Sequence, residues 1–115
     1  MARVAADAIF ERKGADIVLL DVEDLFILSD IFVIATGTSR PHVQALSEYV
    51  EEKLKAKGIA PLRVEGHNQG EWILVDYADI IVHLFQGASR EFYSLERLWG
   101  DAELIQWEEP AVSDS

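Results

Sequence analysis

The sequence predicts an α/β fold, a single domain with a mixed β-sheet of about five strands flanked by helices. Short runs of branched apolar residues alternate with one long stretch of helical period, which is the pattern of a layered α/β domain. A crossover through that helix implies parallel neighbours, whereas two late strands close together imply a hairpin, so the sheet should be mixed. The chain has 115 residues, half of them hydrophobic, enough for one real core. There is no internal repeat and no low-complexity tract.

Val4 to Lys13 reads as a short helix with Val4, Ala5, Ala8 and Ile9 as a narrow apolar stripe, and Gly14 is a natural stop. Ile17 to Val22 is a continuous apolar run bounded by acids, which argues a buried strand. Leu25 to Leu28 fits either a second strand or a connection, and Asp30 to Thr36 reads as a strand. In Gly37-Thr38-Ser39 the chain turns, with Thr38 or Ser39 as N-cap and Pro41 inside the first helical turn. From there to Lys57 the period is helical: Val43, Leu46, Val50 and Leu54 form the dry face and Glu48, Glu51, Glu52, Lys53 and Lys55 the wet one. Gly58 ends this helix.

Pro61 to Glu65 is predicted as a short edge strand, because Pro61 cannot donate to a ladder. A loop at Gly66 to Gly70 leads to strands at Trp72–Val75 and Ile80–Phe85. A hairpin centred on Tyr77-Ala78 would set Asp76 opposite Asp79, Leu74 opposite Ile81 and Trp72 opposite His83, although Tyr-Ala is unusual chemistry for a two-residue turn. Ser89 is a candidate cap for a final helical stretch on which Leu95, Leu98 and Trp99 share a face. The domain is expected to span residues 1–107, with residues 108–115 a disordered acidic tail.

Composition narrows the function classes. Twenty-one acids against ten bases give a net charge of −11, which repels phosphate backbones and leaves little room for direct nucleic-acid binding. The same charge would steer in a basic protein partner, or serve only solubility. Cysteine is absent, so disulfides, thiolate metal sites and cysteine nucleophiles are excluded, which fits a reducing cytoplasm. The first residues lack the apolar block of a secretory signal and read as mature sequence, with no Arg- and Ser-rich transit segment. The longest uncharged apolar stretch, Ile80 to Ser89, is too short to cross a bilayer.

Four groups of residues could carry chemistry. The Gly37–Ser39 turn opens a helix and could hold an anion, but it has neither the following Lys of a P-loop nor spaced dinucleotide-binding glycines, which favours a plain cap. Asp76 and Asp79 could pair on Mg²⁺, yet both flank a turn, where Asp is common for local reasons. His42, His67 and His83 are scattered and lack zinc-ligand spacing. His83 fits a core-edge histidine with a satisfied ring nitrogen; beside Trp72 and the two acids it also fits a protein-docking patch. Tyr93, Leu95, Leu98 and Trp99 fit either a helix packed on the sheet or an interface.

Three strings narrow these alternatives. Asp30-Ile-Phe-Val-Ile-Ala-Thr-Gly-Thr-Ser39 with His42-Val43 comes first; Glu65-Gly66 with Trp72-Ile-Leu-Val-Asp-Tyr-Ala-Asp79 follows. Val82-His-Leu-Phe85, Arg90-Glu-Phe-Tyr93 and Leu95-Glu-Arg-Leu-Trp99 complete the set. In this order and spacing the chain resembles the bacterial ribosomal silencing factor (Iojap, RsfS) family, from about the first helix to Trp99. The resemblance implies a nucleotidyltransferase-like fold without catalytic activity, cofactor or metal. It implies binding to the large ribosomal subunit through large-subunit ribosomal protein number fourteen at the subunit interface. Small-subunit joining would be sterically blocked and translation repressed when nutrients are scarce. Within that frame the expected partner-binding residues are Trp72, Asp76, Tyr77, Asp79, His83, Tyr93, Leu95 and Trp99, with Trp72 as anchor, and a homodimer is an expected alternative state off the ribosome. The family usually has glycine where this chain has Ala78.

Overall fold

The computed structural model describes residues 1–23, 30–87 and 103–109. Its elements are α1 (Ala2–Glu11), β1 (Ala15–Asp21), β2 (Ile31–Gly37), α2 (Arg40–Lys55), β3 (Arg63–Glu65), β4 (Trp72–Asp76), β5 (Ile80–Gln86) and β6 (Glu103–Ile105). The strands form one six-stranded sheet in the order β3-β4-β5-β2-β1-β6. Only β2 and β5 run parallel among these pairs, joined through α2 and the β3–β4 pair; the others are antiparallel. The sheet is therefore mixed, as expected, and β3 lies at its edge.

Strand alternation divides the core into two layers. Ile73, Val75 and Tyr77 of the β4 run and Ile80, Val82 and Leu84 of β5 join Val33 and Ala35 of β2 on one face. Helices α1 and α2 cover that face with Ala5, Ala6, Ala8 and Ile9, and with Val43, Leu46, Val50 and Leu54. The dry face of α2 is the one its periodicity predicts. In α1 the stripe is rotated slightly: Ala6 is fully buried while Val4 packs at its margin. The opposite sheet face carries Leu20, Val22, Phe32, Ile34, Ile81 and Phe85, with Val18, Trp72 and Leu74 packed against them.

Local chemistry sets the boundaries. Ser39 is the N-cap of α2, its Oγ accepting from the His42 amide at 3.2 Å, and Pro41 sits in the first turn. The helix stops at Lys55, and Gly58 takes φ +79° while the Ile59 amide reaches back to the Leu54 carbonyl at 2.9 Å. β1 begins two residues earlier than expected, at Ala15, because a bulge at Asp16 (φ 50°) lets the strand bend without leaving β2.

Two expectations change. The sheet has a sixth strand, β6, paired antiparallel to β1 with Leu20 opposite Leu104. Three residues with no clear alternation gave no strand signal, and the partner lies far away in sequence. The β4–β5 register also differs: Trp72 stands opposite Phe85, Leu74 opposite His83 and Asp76 opposite Ile81. The turn is centred one residue later, on Ala78-Asp79, and its distinctive geometry explains why. The Asp79 amide donates to the Tyr77 carbonyl at 3.0 Å across Ala78 at φ 72°, and the Tyr77 amide donates to the Ile80 carbonyl at 2.9 Å. A shift of two positions preserves which face each side chain occupies. The segment Leu25–Leu28, the stretch from Ser89 to Trp99 and residues 110–115 lie outside the described residues.

Candidate docking face

The β4–β5 hairpin brings an aromatic group together on the sheet face away from α1 and α2. Trp72 at the start of β4 stands across from Phe85, and their rings stack at 5.1 Å. Its indole Nε1–H donates to Nδ1 of His83 at 3.1 Å. On the other side of β5, Phe32 of β2 meets the His83 ring edge-on at 4.7 Å. The parallel β2–β5 register produces that neighbour, a pairing no local sequence pattern announces.

His83 is only 4% exposed, so it lies beneath Trp72 and not beside it on the surface. Because Nδ1 accepts the indole proton, the neutral ring carries its own hydrogen on Nε2. That Nε2 is buried and has no hydrogen-bond partner among the described residues. A buried donor left unpaired costs about 1–3 kcal/mol. Burial also pushes the His83 pKa down to about 4, holding the ring neutral. Trp72 is half-buried, which leaves it as the aromatic of this cluster that meets the surface.

Asp76 continues the same face two residues beyond Leu74, at 15% side-chain exposure. Its Oδ2 accepts from Arg63 Nε at 3.1 Å and its Oδ1 from the Ala78 amide at 2.8 Å. One carboxylate therefore both locks β3 to β4 and shapes the turn. Asp79 is exposed at the turn, and its backbone carbonyl accepts from the amides of Asp30 and Ile31, tying the hairpin tip to the start of β2. Tyr77 is placed differently from the rest of the predicted set. It lies in the helix-side layer at 6% exposure, with its hydroxyl unpaired among the described residues. Burial, then the Glu51 carboxylate, push its pKa up to about 12. Tyr93, Leu95 and Trp99 lie outside the described residues.

The entry to β4 is fixed by the preceding loop. Gly66 has φ +79°, and a Cβ there would stand 2.1 Å from the Trp72 carbonyl oxygen, so only glycine lets the loop close on Trp72. At the far end of β5, Gln86 Nε2 donates to the Gly70 carbonyl at 3.1 Å and the Gln86 amide to Glu71 at 3.0 Å.

The other candidate chemistries find ordinary structural explanations. In the Gly37–Ser39 turn the Thr38 amide donates to His42 Nδ1 at 2.9 Å, and His42 Nε2 donates to the Arg12 carbonyl at 2.8 Å. The turn is thus closed by its own histidine, which also fastens α2 to the end of α1. His67 pairs with Glu48 of α2 at 2.8 Å. Among the described residues no group of three or more His, Cys, Asp or Glu is placed to hold a metal ion. No described helix is long and apolar enough to cross a membrane. An unanticipated feature is Trp107, whose ring meets Phe10 edge-on at 5.9 Å and whose Nε1 donates to Asp7 at 2.9 Å, fastening the segment after β6 onto α1.

The model of the family described as "Ribosomal silencing factor during starvation" matches residues 1–115. The chain belongs to the ribosomal silencing factor family. A family protein named ribosomal silencing factor RsfS, from Chromobacterium violaceum, is 41% identical over 100 residues, covering 87% of this chain and 82% of its own. A crystal structure of a Chromobacterium violaceum protein superposes with a TM-score of 0.84 at 37% identity, covering 99% of this chain and 90% of that one. The mouse protein named mitochondrial assembly of ribosomal large subunit protein 1 is 32% identical over 92 residues, 77% of this chain and 40% of its own length. With the family established, the strings that carried the resemblance acquire places: the first is β2 with the cap of α2, the second is β4 with its turn, and the start of the third is β5.

Proposed function

We propose that this protein silences ribosomes by occupation. It docks on the large ribosomal subunit through ribosomal protein number fourteen at the subunit interface, and its bulk prevents the small subunit from joining. Translation is thereby repressed when nutrients are limiting, in the cytoplasm and without catalysis. Family membership supports the ribosome as target, and the relative named for large-subunit assembly supports that subunit. The observation that carries the docking site is Trp72, a half-buried indole backed by Phe85, His83 and Phe32. Large aromatics seated in this way are the usual anchors of protein interfaces. A net charge of −11 suits a basic ribosomal protein better than bare ribosomal RNA. In this reading Asp79 and Asp76 lie at the rim, His83 and Tyr77 support the hairpin from within, and Tyr93, Leu95 and Trp99 complete the contact.

Subunit joining tests the proposal. Purified large and small subunits are mixed with and without saturating protein, and the particles are resolved by sedimentation; the protein should deplete joined ribosomes. Trp72→Ala, folded by circular dichroism, should bind large subunits at least ~2 kcal/mol more weakly and permit joining at the same concentration. Undiminished joining with the wild-type protein removes the mechanism; unchanged binding by Trp72→Ala removes the site.

A further inference from the structure

The histidine beneath the anchor is the residue of this cluster for which packing alone gives no reason. An apolar side chain at position 83 would fill the same aromatic niche between Phe32, Phe85 and Trp72 without leaving an unpaired donor in the interior. What the imidazole adds is an acceptor at Nδ1, 3.1 Å from the Trp72 indole nitrogen. We infer that His83 is a positioning residue for the docking face: its Nδ1 fixes the orientation in which Trp72 is presented to a partner. The inference rests on the reading of Trp72 as anchor.

The geometry makes this a one-sided device. Leu74 stands directly opposite His83 in the ladder and Trp72 lies diagonal to it, so the indole must lean along the strand to reach Nδ1. Stacking on Phe85 sets the plane of the indole, and the hydrogen bond sets its rotation within that plane. Stacking alone holds the offset loosely, because a stacked aromatic pair contributes only about 0.5–1.5 kcal/mol beyond its buried area. A directional bond to a buried acceptor does not. An indole held in its bound orientation loses less freedom on docking, which strengthens binding without adding a contact to the partner.

Three variants separate positioning from packing. His83→Phe keeps a ring and removes the acceptor; His83→Leu does the same with less bulk, should the larger ring prevent folding. His83→Asn places Oδ1 near the position of Nδ1 and restores an acceptor. The Trp72 indole N–H, assigned by its loss in Trp72→Phe, is followed by NMR for solvent exchange in the free protein. Thermal unfolding and affinity for large ribosomal subunits are measured beside it. His83→Phe should exchange its indole proton about tenfold faster and bind about three- to tenfold more weakly, at an unchanged or higher Tm. His83→Asn should return both exchange and affinity toward wild type. Unchanged exchange in His83→Phe overturns the inference. So does a loss of affinity that tracks a lowered Tm and is not rescued by asparagine, because that is the behaviour of a packing residue. If indole exchange follows the prediction while Trp72→Ala binds like wild type, the anchor reading has failed and the docking role of His83 falls with it; the ordering of the indole in the free protein stands. If Trp72→Ala abolishes binding and His83→Phe leaves it intact, the anchor stands and the positioning role falls.

Discussion

His83 shows how much of a residue's role depends on facts that sequence does not contain. Its strand, its face and its nearness to Trp72 were legible from alternation in β4 and β5. Its depth was not, because that depends on Phe32 arriving through the parallel β2–β5 register. Depth makes it titrate unusually. The folded ring is held neutral down to about pH 4, whereas an exposed histidine in the unfolded chain takes up its proton near its ordinary value of 6.5. At His83 the unfolded state binds more protons than the native one between those values, so this group's contribution to stability falls as pH falls from about 6.5 to about 4. The loss from this group is about 3 kcal/mol, on the scale of about 1.36 kcal/mol per pKa unit. Urea unfolding across this range should show the slope in the wild type and a much shallower one in His83→Phe. Equal slopes would mean that His83 is not the buried base described here.

At the scale of elements, legibility follows the locality of the information. The α2 helix was readable throughout because its cap, its period and its stop are all written within residues 37–58: Ser39, the Val43–Leu46–Val50–Leu54 stripe and Gly58. Strand faces were readable for the same reason. The hairpin register was not, because the turn that sets it breaks the rule of its residue type. Ala78 is held at φ 72°, a conformation that costs an L-residue with a Cβ about 1–2 kcal/mol. Glycine would relieve that strain, at the expense of about 0.5–1 kcal/mol of extra unfolded-state freedom. Ala78→Gly should therefore stabilise the protein by about 0.5–1 kcal/mol, with the β4–β5 register and the Asp76 contact to the residue-78 amide unchanged. Denaturant midpoints at a constant m-value measure it. A destabilised Ala78→Gly would show that the alanine side chain contributes packing that the turn geometry does not reveal. Strand β6 marks the opposite limit: three residues whose pairing with β1 is decided across the length of the chain carry no local signal.

At the scale of the whole molecule, charge and anchor should divide the kinetics of docking between them. A body carrying −11 attracts a basic partner over roughly a Debye length, about 10 Å at 0.1 M salt and about 3 Å at 1 M. Such attraction acts during approach, before surfaces touch, so it raises the association rate; short-range contacts made after docking set the dissociation rate. On the proposed docking, Trp72 belongs to the second class and the surface acids to the first. Binding to immobilised large subunits should thus associate about tenfold or more slowly as salt rises from about 0.05 M to about 0.5 M, while dissociation changes little. Trp72→Ala should show the converse at constant salt, with faster dissociation and nearly unaltered association. Asp79→Asn, which removes one exposed charge at the hairpin tip, should lower the association rate modestly and flatten its dependence on salt. An association rate indifferent to ionic strength would leave the acidic surface as a solubility device, with recognition resting on the aromatic cluster alone.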